Sequence, residues 1–273
     1  MTMTEIDRPH PILRPAPPEP EELRRALMAP DAAPAPRRRR PWRLLAEIVP
    51  TLLSLAALIG AGFWLLTAPD TPLAPEWNPT EALDLTHPVT PLTGFKLRRA
   101  LAGEESCLAA LSTGAAFEAM APLRSGESCG IVPRVDLRGV GGAWVAPVET
   151  TCGTALRLAM WEKAVVAEAG ALLGSPVAGL SHQGSYNCRA IRGGERMSSH
   201  ANALAIDING VVLEDGRRLP LLDNWEGEGP EARFWRALRD GGCDWFGTVL
   251  GPDYDANHAD HLHLQSSGRG TCR

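Results

Sequence analysis

Apolar residues dominate one uninterrupted stretch near the N-terminus. Residues 44–66, LLAEIVPTLLSLAALIGAGFWLL, contain a single charged residue, Glu47, close to the start. At about 1.5 Å per residue this stretch makes roughly 34 Å of helix, enough to cross a bilayer. The pattern therefore predicts one transmembrane helix over residues 44–66.

Beyond residue 150 the hydrophobic pattern changes to shorter periodic elements. Residues 154–173 are rich in Ala and Leu and end at Gly-Ser-Pro, which predicts a helix, and residues 230–240 predict a second one before two glycines. Residues 177–182, 203–208 and 261–265 predict strands, the last two by strict alternation. This mixture predicts an α+β domain in which a small antiparallel sheet has flanking helices.

Two proline-rich segments border the apolar stretch. Residues 1–41 hold ten of the 24 prolines, a density that blocks helices and sheets, so they predict a disordered arm in which EPEELRRALMAP is a transient helix at most. Residues 68–90 are also rich in proline and predict a tether. Residues 91–273 remain as one globular domain of ordinary size.

The charges around the apolar stretch predict its orientation. Five arginines stand just before it, at positions 37–40 and 43, and the flank after it has no Lys or Arg. The positive-inside rule then leaves the N-terminus in the cytoplasm and the domain outside. A cleaved signal peptide is the alternative, but the stretch is longer than a typical signal h-region and 36 residues precede the arginines. We therefore expect an uncleaved anchor.

Composition narrows the class of protein. The chain has 273 residues, a net charge of −5 and 5% aromatic residues, which gives no electrostatic reason to propose nucleic-acid binding. Its cysteines are even in number and suit disulfides in an oxidising compartment, with 15 pairings open. They are Cys107, Cys129, Cys152, Cys188, Cys243 and Cys272. A thiol metal cluster is disfavoured because no C-x2-C pair occurs.

The candidate chemistry lies on the two alternating strands. Because side chains alternate along a strand, Asp207 shares a face with two alanines, and His200 precedes it in the loop. The same rule puts His261 and His263 on one face. If the strands are neighbours, His200, Asp207 and one histidine of the pair can meet at a single ion.

Two imidazoles and one carboxylate suit Zn²⁺ with a fourth position open, the arrangement of catalytic zinc. Zinc of this kind activates water and polarises a carbonyl, chemistry that hydrolyses amides. His258 and Asp260 are both candidates for the base, and strand alternation favours His258 by turning Asp260 to the other face. The alternative is that these histidines have only a structural role, as a lone histidine usually does.

These residues carry a resemblance to known zinc peptidases. The segment from Ser198 to Asp207, SSHANALAID, resembles the S-x-H-x-x-G-x-A-x-D motif of the peptidases grouped with lysostaphin, D-Ala-D-Ala carboxypeptidases and sonic hedgehog. HADHLHL resembles the H-x-D-H-x-H stretch of penicillin-insensitive murein endopeptidases. Residues from about 90 to 273 resemble most the extensin-like C-terminal domain family of bacterial proteins. Ala203 departs from the motif, which has Gly there.

The resemblance implies a role for each matching residue. His200, Asp207 and His263 would bind one Zn²⁺ per chain, and His261 would stabilise the oxyanion or orient the attacking water. His258 matches a catalytic histidine, whereas Asp260 matches the spacing of the carboxypeptidases' Glu, so the base stays open. Arg189 and Ser198 would contact the substrate, and a surface arginine beside a disulfide is an equal alternative for Arg189.

Two functions of different classes follow from these observations. The favoured one is a zinc peptidase anchored in the bacterial inner membrane, with a periplasmic domain that cleaves D-alanyl amide bonds of peptidoglycan peptides, as an endopeptidase rather than a carboxypeptidase. The alternative is a non-catalytic zinc-containing module that binds or scaffolds the cell wall. Protein partners, the disulfide pairing and any role of the proline-rich arm stay open.

Overall fold

The computed structural model describes residues 19–28, 41–68, 70–191, 193–268 and 270–273. The chain divides into two units, Met1–Ile59 and Gly60–Arg273. Most of the predicted disordered arm, including the arginines at 37–40, lies outside the described residues. Within that arm the described part contains a short helix, α1 (Pro20–Leu27), at the place where a transient helix was predicted.

The long apolar stretch forms one helix, α2 (Pro41–Thr67). The span Ala46–Thr67 is apolar and long enough to cross a membrane, and none of it is buried within the protein. A signal sequence satisfies the same criteria of length and hydropathy. The predicted helix is therefore confirmed, and its apolar surface faces outward.

The remaining helices flank a large sheet. They are α3 (Thr93–Ala100), α4 (Glu104–Ser112), α5 (Cys152–Trp161), α6 (Ala167–Ala169), α7 (Leu221–Asn224) and α8 (Pro230–Gly242). A π-helical turn at Glu162–Val166 joins α5 to α6, and a 3-10 turn at Gly170–Leu173 follows. The helices predicted over residues 154–173 and 230–240 are confirmed.

The strands of the described chain are β1 (Ala115–Met120), β2 (Leu123–Ser125), β3 (Cys129–Ile131), β4 (Arg134–Val140), β5 (Ala143–Thr151), β6 (Val177–His182), β7 (Ala205–Leu213), β8 (Arg218–Pro220), β9 (Thr248–Leu250), β10 (Leu262–Gln265) and β11 (Thr271–Cys272). Nine of them form one sheet in the order β1-β4-β5-β6-β7-β10-β9-β11, with β8 beside β7, and β2 pairs with β3 separately. The three predicted strands all lie in the sheet.

The prediction of a small antiparallel sheet is wrong in two respects. The sheet has nine strands, and β5 pairs with β6, and β9 with β11, in parallel. The parallel β5–β6 pair is joined through the whole helical segment from α5 to the 3-10 turn, the kind of connection that parallel neighbours require. Pairing of this range leaves no local signal in the hydrophobic pattern.

Aromatic and aliphatic side chains from the sheet and from the flanking helices form the core. Phe234 and Trp235 of α8 are fully buried, as are Ile206 and Ile208 of β7. The indole of Trp161 donates a hydrogen bond to the carbonyl oxygen of Leu238, 3.0 Å away, which joins the end of α5 to α8. This core holds β7 at the centre of the sheet, between β6 and β10.

Part of the segment predicted as a tether packs onto the domain. Leu83 and Leu85 are buried in the main hydrophobic cluster, and the backbone N–H of Leu85 donates to the hydroxyl of Thr113 at 2.8 Å. Leu85 also lies directly against Gly114, where a Cβ would meet its side chain. Burial of the two leucines stabilises this packing. The proline content of the segment predicted a tether and gave no sign of it.

Three disulfides complete the domain. Cys107 pairs with Cys152, Cys129 with Cys188, and Cys243 with Cys272. The second bridge ties β3 to the loop that leads to His200, and the third ties the end of α8 to β11. All six cysteines are used, as their even number predicts.

Candidate metal centre

The predicted metal ligands meet at the junction of β7 and β10. These strands are antiparallel neighbours, and Asp207 and His263 stand directly opposite each other in their register. Residues opposite each other on antiparallel strands project to the same face. His200 reaches the same place from a 3-10 turn, Ser199–Asn202, that leads into β7.

The donor atoms of the three side chains form a compact triangle. His200 Nε2 lies 3.1 Å from His263 Nδ1 and 3.2 Å from Asp207 Oδ2. His263 Nδ1 lies 2.8 Å from Asp207 Oδ1. One ligand atom from each residue lies within 4.8 Å of the other two, so the three form a group that is able to hold a metal ion. The predicted convergence is confirmed.

Burial and charge fix the electrostatics of this triangle. Burial opposes ionisation of Asp207, but hydrogen bonds from His200 and His263 outweigh it and hold the pKa of the carboxyl far below its usual range. Burial would lower the pKa of His200, yet the hydrogen bond and charge of Asp207 raise it overall. Asp207 is therefore a carboxylate at neutral pH, the form that a metal ligand needs.

The orientation of His200 comes from the backbone. Its other ring nitrogen, Nδ1, lies 2.9 Å from the carbonyl oxygen of Ser185. A hydrogen bond of this kind fixes the tautomer and leaves Nε2 available as a ligand. Ser185 is fully enclosed, and its own hydroxyl donates to the carbonyl of Ala205 at 2.6 Å, so this support is tied to the start of β7.

His261 lies beside the triangle, on the face predicted by alternation. Its Nε2 is 3.6 Å from Asp207 Oδ1, and its Nδ1 is 2.8 Å from Asp260 Oδ1. The other oxygen of Asp260 accepts a hydrogen bond of 2.8 Å from the side chain of Gln183. Asp260 therefore fixes the Nδ1 side of the His261 ring, and this hydrogen bond lowers the pKa of the Asp260 carboxyl.

His258 approaches from a short 3-10 turn, Ala256–His258. Its ring centroid lies 5.3 Å from that of His261 and 5.7 Å from that of His263. Its Nδ1 is 2.7 Å from Asp255 Oδ1. Burial lowers the pKa of His258 more than the hydrogen bond with Asp255 raises it, which favours a neutral imidazole.

The two candidate bases thus occupy different positions. Both carboxylate oxygens of Asp260 have partners in His261 and Gln183. His258 has one ring nitrogen engaged by Asp255, and its ring faces the other two histidines. This geometry favours His258 over Asp260, in line with the argument from strand alternation.

The two predicted substrate contacts are placed differently. The hydroxyl of Ser198 accepts a 3.3 Å hydrogen bond from the backbone N–H of His200 and caps the turn, so its role in the structure is to position that turn. Arg189 is exposed, and it follows Cys188, whose disulfide with Cys129 ties this loop to β3. Contact of either residue with a substrate stays a prediction.

Ala203 explains why the resembling motif has glycine at this position. The predicted strand over residues 203–208 begins only at Ala205, because Ala203 is left-handed with φ of 49° and ψ of 35°. Its carbonyl oxygen accepts hydrogen bonds from the hydroxyls of Thr150, Thr151 and Thr154 at 3.3, 3.2 and 2.9 Å. A left-handed alanine costs roughly 1 kcal/mol, and these bonds hold it in place.

We expect residue 203 to tolerate glycine and to reject valine. Ala203→Gly removes the strain but increases the entropy of the unfolded chain, so the free energy of unfolding should change by less than about 1 kcal/mol. Ala203→Val adds a β-branched side chain to a fully buried, left-handed site and should cost about 2–5 kcal/mol. Thermal unfolding of the full chain in detergent measures both, and a valine variant as stable as the glycine variant would contradict the observed turn.

Sequence reasoning missed the residues that support the ring nitrogens. Asp255 carries a usable signal, since an Asp three residues before a histidine caps a short turn and can reach the ring. Gln183 and the carbonyl of Ser185 carry none, because their positions depend on how the chain turns after β6. All of these residues lie between the β6 end and β10.

Comparison with known proteins covers the same region. The family described as extensin-like protein C-terminus matches residues 105–273. The chain belongs to this family. The extensin-like domain so defined contains all six cysteines and the whole histidine and aspartate cluster. No curated protein and no solved structure matches the chain significantly.

Proposed function

We propose that the chain is a membrane-anchored, zinc-dependent peptidase that hydrolyses D-alanyl amide bonds of peptidoglycan peptides, preferentially as an endopeptidase. The observation that carries this proposal is the meeting of His200 Nε2, Asp207 and His263 Nδ1 within 4.8 Å. A His-Asp-His set leaves one position open in a four-coordinate site, which is the feature of catalytic rather than structural zinc.

The spacing of the donor atoms fits zinc. With bonds of about 2.0–2.1 Å, tetrahedral ligand atoms stand about 3.3 Å apart. His200 Nε2 and His263 Nδ1 lie 3.1 Å apart, close to this value, and each lies within 3.2 Å of one of the two carboxylate oxygens of Asp207. When bound, zinc supplies a Lewis acid and lowers the pKa of a water to about 7. A metal also needs ligands that are ionised or correctly oriented, and the buried, ionised Asp207 meets the first condition while His200, held through its Nδ1 by the carbonyl oxygen of Ser185, meets the second.

The neighbouring histidines supply the proton handling that amide hydrolysis needs. Asp260 fixes the Nδ1 side of His261, so its Nε2 faces the side of the cluster where Asp207 lies. With Nδ1–H donated to Asp260, the imidazolium form of His261 is placed to donate its Nε2–H to a developing oxyanion. Asp255 fixes His258 in the same way, and burial favours its neutral form, which is the form that accepts a proton.

The location we propose follows from α2 and the disulfides. An exposed apolar helix with arginines before it supports an anchor in the bacterial inner membrane with a cytoplasmic N-terminus. Three disulfides in the domain support an oxidising compartment, the periplasm. Peptidoglycan is the peptide substrate available there, and the resemblance to murein peptidases supports the same choice. Arg189 is the residue we propose for a substrate carboxylate.

The test uses the full chain in detergent, loaded with zinc, and purified cross-linked muropeptides. We expect about one zinc per chain by metal analysis and release of monomeric stems by chromatography, with activity lost on chelation and restored by added zinc. Zinc-loaded protein that leaves both muropeptides and D-Ala-ended peptides intact, while it binds sacculi, would reject the peptidase and leave the non-catalytic wall-binding module.

A further inference from the structure

The segment that follows α2 folds back onto the end of that helix. The side chains of Asn78 and Thr80 both donate hydrogen bonds to the carbonyl oxygen of Leu66, at 2.9 and 3.0 Å. The hydroxyl of Thr71 donates to the preceding carbonyl, that of Leu65. These bonds satisfy carbonyls that a helix end leaves without partners. The residues after α2 are therefore held against the helix end.

The same segment is fastened to α3. Lys96 donates its ammonium to the carbonyl of Pro75 at 2.5 Å, and the guanidinium of Arg99 donates to the carbonyl of Pro79. The hydroxyl of Thr90 donates to the carbonyl of Glu76 at 3.1 Å. Trp77 lies between these fastened positions in the chain, so its backbone is held between the end of α2 and α3.

We define the aromatic–basic patch as the exposed apolar and basic side chains of α3 and of the segment fastened to it: Trp77, Val89, Phe95, Arg98 and Arg99. Three of its members are large apolar side chains left in the open, with exposed fractions of 49% for Trp77, 46% for Val89 and 40% for Phe95. Phe95, Arg98 and Arg99 share one face of α3 because they are three and four residues apart. The guanidinium of Arg99 lies over the Phe95 ring, 5.8 Å from its centroid.

The basic residues of α3 differ in their exposure and in the charges around them. The carboxylates of Glu76 and Glu81 act on Lys96, whose side chain is buried. Arg98 and Arg99 are exposed on the same face of α3 as Phe95, so a surface docked on that face would meet both guanidinium groups. Tryptophan and arginine are typical of the membrane–water interface, because each has an apolar part and a polar group that meets headgroups, and the Phe95 ring adds apolar surface.

We propose that the aromatic–basic patch docks on the phospholipid headgroup layer of the membrane that α2 crosses. The proposal rests on the anchoring role given to α2 above and is independent of zinc. The hydrogen bonds of Asn78 and Thr80 with Leu66 argue for this occupant, because they hold the chain next to Trp77 at the end of the apolar helix, where the headgroups would begin. Docking would hold the domain at the membrane surface instead of leaving it on a free tether.

The test uses tryptophan fluorescence of the full chain in lipid nanodiscs that contain anionic phosphatidylglycerol and a headgroup-level spin-label quencher. We compare three variants: Trp77→Phe in the patch, Trp64→Phe in α2, and Trp144→Phe on β5, which is 46% exposed and so matches Trp77 in exposure. The quenched intensity should fall by similar amounts when Trp77 or Trp64 is replaced, and should not change when Trp144 is replaced.

A second pair of variants tests the charge. Arg98→Glu should lower the quenching of Trp77 at least twofold, whereas Arg124→Glu, an exposed arginine on β2, should not. If Trp64→Phe lowers the quenched intensity and Trp77→Phe does not, α2 is inserted but the patch is not docked, and this proposal is overturned. If neither replacement lowers it, the helix does not lie in the bilayer, and the anchoring proposal falls as well.

Discussion

Replacing His263 by alanine is expected to abolish stoichiometric zinc binding. His263 Nδ1 is the donor closest to Asp207, and it also lies 3.1 Å from His200 Nε2, so its loss leaves only two ligands facing each other. A two-ligand site has no means of closing a four-coordinate shell, and we expect a loss of at least 100-fold in affinity. Metal analysis after dialysis and competition with a chromophoric chelator measure this loss.

His182→Ala is the matched control for that experiment. His182 ends β6, beside β7, and its Nε2 lies 2.9 Å from the carbonyl oxygen of Ala146, away from the candidate ligands. This variant should keep about one zinc per chain. Because His263 is buried, the thermal unfolding of both variants is compared without metal, so that a folding defect is recognised. A folded His263→Ala protein that still holds one zinc would refute the proposed ligand set.

The site was accessible from the sequence because strand alternation is a local rule. To predict that Asp207 and His263 meet required only the side-chain period of two and the assumption that their strands are neighbours. In the structure the register places them opposite each other. His200 could be joined to them because it is only seven residues before Asp207. The resemblance added the choice of His263 over His261, which alternation alone left open.

Other features required information that no local pattern contains. The left-handed conformation of Ala203 is held by three hydroxyls from the junction of β5 and α5, about 50 residues earlier, so alternation wrongly extended the strand through it. The position of the Asp260 carboxylate depends on Gln183, 77 residues away. The wide mixed sheet depends on pairing between β5 and β6 across the helical segment. In each case a contact between distant residues overrides the local preference.

Variants of the Asp260–His261 pair are expected to lower kcat strongly without loss of zinc. Removing the imidazole in His261→Ala should lower kcat on cross-linked muropeptides by about 10²–10⁴, because a positioned proton donor is lost while the three ligands remain. Asp260→Ala should lower kcat by about 10–100-fold with KM unchanged, since Asp260 acts only by holding the Nδ1 side of that ring. Both proteins should retain about one zinc per chain.

The double variant separates positioning from independent catalysis. If Asp260 acts through His261, then Asp260→Ala adds nothing further in the His261→Ala background, because the ring that it orients is gone. An additional loss in the double variant would instead make Asp260 the base in its own right and His258 the spectator. Asp244→Ala, which removes an exposed carboxylate elsewhere in the domain, serves as the control and should leave kcat unchanged. Comparing the pH profile of kcat between wild type and Asp260→Ala gives an independent reading, because a purely structural defect would scale the profile without changing its shape.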